Sequence, residues 1–173
     1  MLETRNLILR YGQNGDCEPL YANLWSQVSV FCYLFSRPSS SPEAGKKKTE
    51  AYIEMHQQAR TEFFVIDKST MEPIGIAGIK QLSPEICTVT DIAIGPSFSG
   101  KGYGKQVLSA LTELAFSMPG IKELHYSCFS ENTASKNLAL SCGFAYSHSQ
   151  EAELPKDGRS VILDHYIRRN PHV

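Results

Sequence analysis

The stretch GPSFSGKGYGKQV, Gly95 to Val107, decides how this chain is read. Gly100, Gly102 and Gly104 alternate with other residues, and Lys101 and Lys105 stand among them. The β-branched run ICTVTDIAI precedes the stretch. KQVLSALTELAF follows, with Val107, Leu108, Leu111, Leu114 and Ala115 at helical spacing. A strand therefore passes through a glycine turn into an amphipathic helix. Helix N-termini present unpaired N–H groups and a partial positive charge, and glycine lets such backbone approach an anion closely. In physical terms this is an anion cradle. A plain glycine-rich connection is the alternative, but a tight turn does not need three alternating glycines.

Two familiar cradles fail on spacing. A P-loop requires G-x-x-x-x-G-K-[ST], whereas Ser99 stands five positions before Gly104 and Gln106 follows Lys105. A dinucleotide fingerprint requires G-x-G-x-x-G, and Lys105 or Val107 occupies the place of its third glycine.

Outward from the turn, RNLILRYG supplies a first strand ending at Gly12, and Asp16 is placed to cap a helix with an apolar stripe of Leu20, Leu24, Val28 and Phe31. SRPSSSPEAGKKK is loop-like, and Ser41-Pro42 starts a second helix running toward Ala59. Lys46, Lys47 and Lys48 read as a solvated face. After Arg60 come strands at Phe63–Ile66 and Ile74–Ile79, then ICTVTDIAI. Beyond the long helix, ended by Pro119-Gly120, lie the strand IKELHYSCF and the helix NTASKNLALSCGF. FAYSHSQEAEL and SVILDHYI form a closing antiparallel pair. The order β-α-α-β-β-β-α-β-α-β-β gives an α+β class with a mixed sheet and one domain over residues 1–173.

Composition narrows the function. The chain has 173 residues, 42% hydrophobic and 20% charged, and a net charge of −1, so no global field draws it to nucleic acid or anionic membrane. The apolar run VSVFCYLF falls far short of the ~20 residues that cross a bilayer, and MLETRNLILRYG does not read as a signal peptide. Cys17, Cys32, Cys87, Cys128 and Cys142 are odd in number, without C-x-x-C spacing, which argues against a disulfide framework or zinc site and for a cytoplasmic setting. The five histidines are scattered singly and read as structural or solvated rather than metal-ligating.

The chain resembles the GNAT superfamily of N-acetyltransferases, in the subgroup that includes the ribosomal-protein alanine acetyltransferases. The family loop [QR]-x-x-G-x-[GA] is matched by Ser99-Gly100-Lys101-Gly102-Tyr103-Gly104, with Ser99 in place of Gln or Arg. ENTASKNLALSCGF is similar to the subgroup's N-x-x-S-x₇-G-F helix, and LETRNLILR to its opening strand. The resemblance implies a mixed, mostly antiparallel sheet of six to seven strands, flanked by about four helices, with the fourth and fifth strands splayed around the cofactor. It implies acetyl-CoA as co-substrate and no metal. The amides from Gly100 to Gly104 would bind the pyrophosphate with charge from Lys101 or Lys105. Ile92, Ala93 and Ile94 would bond the pantetheine, and Asn132 and Ser135 would sit near its end.

The implied reaction is direct attack of an amine on the thioester. The Ile94 amide is the candidate oxyanion donor, and Ser135 the candidate group for the departing thiolate. Asn132 also reads as a helix N-cap. A tyrosine used by many relatives is replaced by Ala139. Some relatives carry a basic glutamate near the position of Thr88, which cannot serve. Asp91 is the carboxylate of that strand, and regular alternation turns it away from the Thr88 face. It reads first as a strand-edge or helix-capping residue and second as the base. Glu131 and a water chain are further candidates, so no single base is expected to be indispensable. The aromatics Phe31, Tyr33 and Phe35 either shape the acceptor site or belong to the core. The expected partners are acetyl-CoA and an amine acceptor, without nucleic acid or membrane, for a monomer or homodimer. A domain that binds acyl-CoA without turnover is the alternative function.

Overall fold

A computed structural model describes residues 1–58 and 61–173. Its strands are β1 (Leu2–Glu3), β2 (Leu7–Arg10), β3 (Glu62–Asp67), β4 (Pro73–Ser83), β5 (Ile86–Ile94), β6 (Glu123–Phe129), β7 (Ala145–Glu153) and β8 (Ser160–Arg169). They form one sheet in the order β1-β2-β3-β4-β5-β6-β8-β7. Each neighbouring pair is antiparallel except β5 and β6, which run parallel. The helices are α1 (Cys17–Leu20), α2 (Pro42–Gln58), α3 (Tyr103–Ser117) and α4 (Thr133–Ser141). The sheet has more strands than the sequence suggests, because β1 is a two-residue edge against β2. The splayed pair is therefore β5 and β6 in this numbering.

Helices cover both faces. α3 and α4 pack on one, where Val107, Leu108, Leu111, Ala115 and Ala139 lie fully buried against Leu7, Leu9, Val65 and Cys87. Each large aliphatic side chain removed from water there contributes roughly 1.5–3 kcal/mol. On the other face Leu20, Leu24, Trp25 and Phe31 pack on Phe64, Ile66 and Ala93. The expected stripe holds for Leu20, Leu24 and Phe31, but Val28 is 67% exposed because helix α1 has already ended and the chain turns irregularly through Tyr21–Trp25.

Asp16 does not cap α1 with its side chain. Its carboxylate accepts instead from the two terminal guanidinium nitrogens of Arg10, at 2.7 and 2.8 Å, and from the Gln13 amide. Ser41 does cap α2: its Oγ accepts from the Ala44 amide at 3.2 Å. The predicted end of that helix at Ala59, and Arg60 beyond it, lie outside the described residues. Lys46 and Lys47 are exposed as expected, but Lys48 is not on the solvated face. Its Nζ lies 4.5 Å from the Trp25 ring centroid and 4.6 Å from that of Phe31.

Candidate active site

β5 and β6 pair only over Ile86–Thr88 against Glu123–His125. Both continue, to Ile94 and Phe129, and the wedge between them opens into a cavity of about 550 Å³. Val89 to Ile94 form one wall, and Tyr126 to Phe129 with Asn132 and Ser135 form the other. The Gly95 amide donates to Ile74 O at 2.8 Å across β4. Backbone direction alternates along a strand, so the Ile94 amide faces the wedge.

The glycine turn follows directly. Ser99 lines the cavity, and Gly100 and Gly102 have φ of 76° and 71°. A Cβ on either would meet no atom within 4 Å, so backbone conformation rather than crowding requires glycine there. Gly102 stands at the N-cap of α3 and has no side chain to satisfy the first-turn amides. Gly104 differs: a Cβ there would sit 3.4 Å from the Leu138 side chain, an ordinary van der Waals contact, so neither crowding nor a left-handed backbone requires glycine at that position. The Tyr103 ring turns inward, and its hydroxyl donates to Asp67 Oδ2 at 3.1 Å. Lys101 rests over the Phe98 ring, 5.2 Å from its centroid. Lys105 is exposed on α3 beside Gly102 and Gln106.

On the opposite wall, Asn132 caps α4: its Oδ1 accepts from the Ser135 amide at 3.1 Å. That fixes the first turn and aims the Ser135 hydroxyl into the wedge. Ser135 Oγ lies 2.6 Å from Tyr126 Oη. Burial pushes the Tyr126 phenol up to about 12, so it stays protonated at neutral pH. Ala139 lies in the core, yet a tyrosine reaches the same wall from β6. The sequence reading missed Tyr126, because its meeting with Ser135 depends on how α4 crosses β6.

Asp91 also lies in the cavity wall, and here the structure corrects the alternation argument. Gly78 pairs with Asp91 and Ile79 with Val89, so Thr90 is an extra residue in β5. A bulge reverses the alternation beyond it. Cys87 and Val89 face the α3 side before it, whereas Ile92 packs on that side after it and Ala93 joins the α2 side. Asp91 therefore shares the face of Thr88 instead of opposing it. Burial raises its carboxyl to about 6, against the lowering charge of Lys48.

A second carboxylate stands behind it. Glu62, 8% exposed, accepts from Thr90 Oγ1 at 2.8 Å. Its carboxyl is raised to about 7, chiefly by burial, and Asp91 adds to the shift while the Thr90 bond opposes it. Any Cβ at Gly78 would collide with the Glu62 carboxylate. The interior strand glycine in IGIAGI was the available signal, since such glycines mark bulges and close approaches.

Glu131 is exposed and lines a separate depression with Cys32, Lys156 and Arg159. The structure does not bring it to Asp91 and Ser135. The aromatic run divides. Phe31 is core, while Tyr33 and Phe35 close the cavity against Phe129, at centroid distances of 6.0 and 5.8 Å. Lys156, in the β7–β8 turn, latches this segment by donating to Phe31 O at 2.6 Å and Leu34 O at 2.7 Å. All five cysteines are free.

A wedge between parallel strands, leading to a glycine turn at a helix N-terminus, is the arrangement that the resemblance implied for a cofactor site. The chain belongs to the acetyltransferase (GNAT) domain family, whose model matches residues 6–145. It is 27% identical over 146 residues to the uncharacterized N-acetyltransferase YoaA of Bacillus subtilis, covering 83% of this chain and 82% of that protein. Its fold is similar to that of the spermidine N-acetyltransferase from Vibrio cholerae, solved with CoA and spermine. That match has a TM-score of 0.75 and 20% identity, over 96% of this chain and 97% of the other. The ribosomal-protein-S5-alanine acetyltransferase from Vibrio fischeri is also similar, with a TM-score of 0.78 and 15% identity over 98% and 96% of the two chains.

Proposed function

We propose that this protein, one domain over residues 1–173, is an N-acetyltransferase moving an acetyl group from acetyl-CoA directly to a primary amine. The observation that carries the reading is the continuity of the unpaired β5 edge with the left-handed Gly100 and Gly102 turn. Pantetheine would add to the Ile92–Ile94 edge as a strand, and the pyrophosphate would meet the amides from Gly100 to the start of α3.

The acceptor arrives as an ammonium with a pKa near ~10 and must lose a proton before attack. Asp91 is the carboxylate in the wall to receive it. The nitrogen then bonds to the thioester carbonyl carbon, and the Ile94 amide donates to the resulting oxyanion. As the C–S bond breaks, the nitrogen releases its second proton to water, and Ser135, backed by the Tyr126 phenol, gives the thiolate a proton. The phenol restores the Ser135 hydrogen, and solvent restores its own.

Thiol release across a panel of amines and peptide N-termini tests the reading, with calorimetry against CoA and ATP alongside. Micromolar CoA binding, no ATP binding and thiol release with at least one acceptor are expected. CoA binding with no release from any acceptor would favour a non-catalytic acyl-CoA sensor. ATP binding would sink both readings.

A further inference from the structure

We propose that Glu62 is a positioning residue that works through Asp91: the two carboxylates share the proton that the acceptor amine gives up. This rests on the reading of Asp91 as the group that meets the amine.

The geometry is built by three adjacent strands. Glu62 on β3 pairs with Gly78 on β4, and Gly78 pairs with Asp91 on β5. The middle position has no side chain, and the Glu62 carboxylate fills the space a Cβ would take. The Thr90 bulge turns Asp91 onto the Glu62 face, and the Thr90 hydroxyl holds Glu62 in place. Asp91 lines the cavity, whereas Glu62 lies behind it, outside the lining.

A glutamate buried without a cation is costly unless it does something that apolar packing could not. Among the described residues, the groups around the pair offer no such cation at contact. From α2, Tyr52 is a phenol whose ionisation both carboxylates oppose. Lys48, also on α2, interacts with Asp91 but is held over Trp25 and Phe31 and donates to Arg37 O at 3.1 Å. On β4, Lys80 is exposed two residues beyond Gly78. Among the described residues the burial of both carboxyls is met by raised affinity for protons. Two coupled carboxyls titrate as a unit, over a wider range than either alone. When the ammonium loses its proton, the proton lands on Asp91. Glu62 holds the pair at the protonation state that can accept it, and water takes the proton once the product leaves.

The test compares wild type with Glu62→Gln and Glu62→Asp. Carboxyl-carbon NMR titration of the resting protein reads the pair without turnover. Two interdependent steps between about pH 5 and 8 are expected in wild type, and one in Glu62→Gln. In thiol-release kinetics, Glu62→Gln should lower kcat about tenfold, with KM for acetyl-CoA unchanged. It should also reduce the acid limb of the pH–rate profile from two protons to one, and Glu62→Asp should restore part of the rate. Melting curves identify any unfolded variant, in which case Glu62→Asp and the wild-type titration decide. An ordinary glutamate titration at Glu62, or an acid limb that Glu62→Gln leaves unchanged, overturns the proposal. Failure of every acceptor would sink the transferase reading but would leave the NMR result standing.

Discussion

The glycine turn and the carboxylate nest sit at opposite ends of the same stretch of β5, and they are built in opposite ways. The turn is made of consecutive residues, Ser99 to Gly102, acting through backbone conformation. The nest is made of Glu62, Gly78, Thr90 and Asp91, drawn from three strands and meeting through register. Under the proposed function, one would bind with amides that every residue owns, and the other would react with side chains that must be aimed. Changes in the turn should therefore move cofactor affinity and leave the pH profile alone. Changes in the nest should do the reverse.

The largest expected effect is at Asp91. Asp91→Asn should lower kcat about 10³-fold, within the range of a lost general base, with CoA affinity retained. Glu131→Gln, outside the cavity, should leave kcat within about twofold, as surface substitutions do. Steady-state kinetics on both variants settle whether one base dominates, and an active Asp91→Asn would restore the water-chain reading.

Gly102→Val comes next. A β-branched residue at φ of 71° is strained, and its side chain would project where the phosphates approach. CoA binding should weaken at least tenfold by calorimetry, while the pH dependence of any residual rate stays that of wild type. Full affinity in this variant would refute the cradle. Ser99→Ala should be milder, about 1 kcal/mol or roughly fivefold in CoA affinity, for one hydroxyl facing a phosphate.

The smallest effect is on stability. Glu62 is raised in the folded protein, so its neutral form stabilises the fold below the ordinary glutamate pKa. That contribution fades as pH rises through about 7, because the folded state must then bury the charge. Glu62→Gln should therefore melt a few degrees higher than wild type at about pH 8 and equally at about pH 4. An equal melting temperature at both would mean that Glu62 is better solvated than its burial implies.

The same contrast explains what the sequence could and could not reveal. ICTVTDIAI, the glycine turn and KQVLSALTELAF were legible because period, β-branching and positive φ are properties of neighbouring residues. β5 begins and ends where that run does. The face of Asp91 was not legible. It depends on an extra residue opposite Gly78, and nothing within TVTDIAI marks Thr90 as that residue. The Tyr126–Ser135 contact is hidden for a similar reason, since it joins a strand to the helix that follows it. In the sequence Asn132 reads as either a helix cap or a ligand contact. Its Oδ1 is the cap, which leaves its amide nitrogen for the cavity it lines.

The Lys156 latch joins residues 122 and 125 positions apart in the chain. It ties the tip of the β7–β8 hairpin to the Phe31–Leu34 segment that walls the cavity, and Arg37 bonds back to the Lys156 carbonyl. The wall opposite the glycine turn thus answers to a hairpin tip on the surface. Substitutions at that tip can reshape what enters the wedge while the nucleotide end stays as it is. Under the proposed function, selectivity and cofactor affinity would then be separately inheritable traits of this chain.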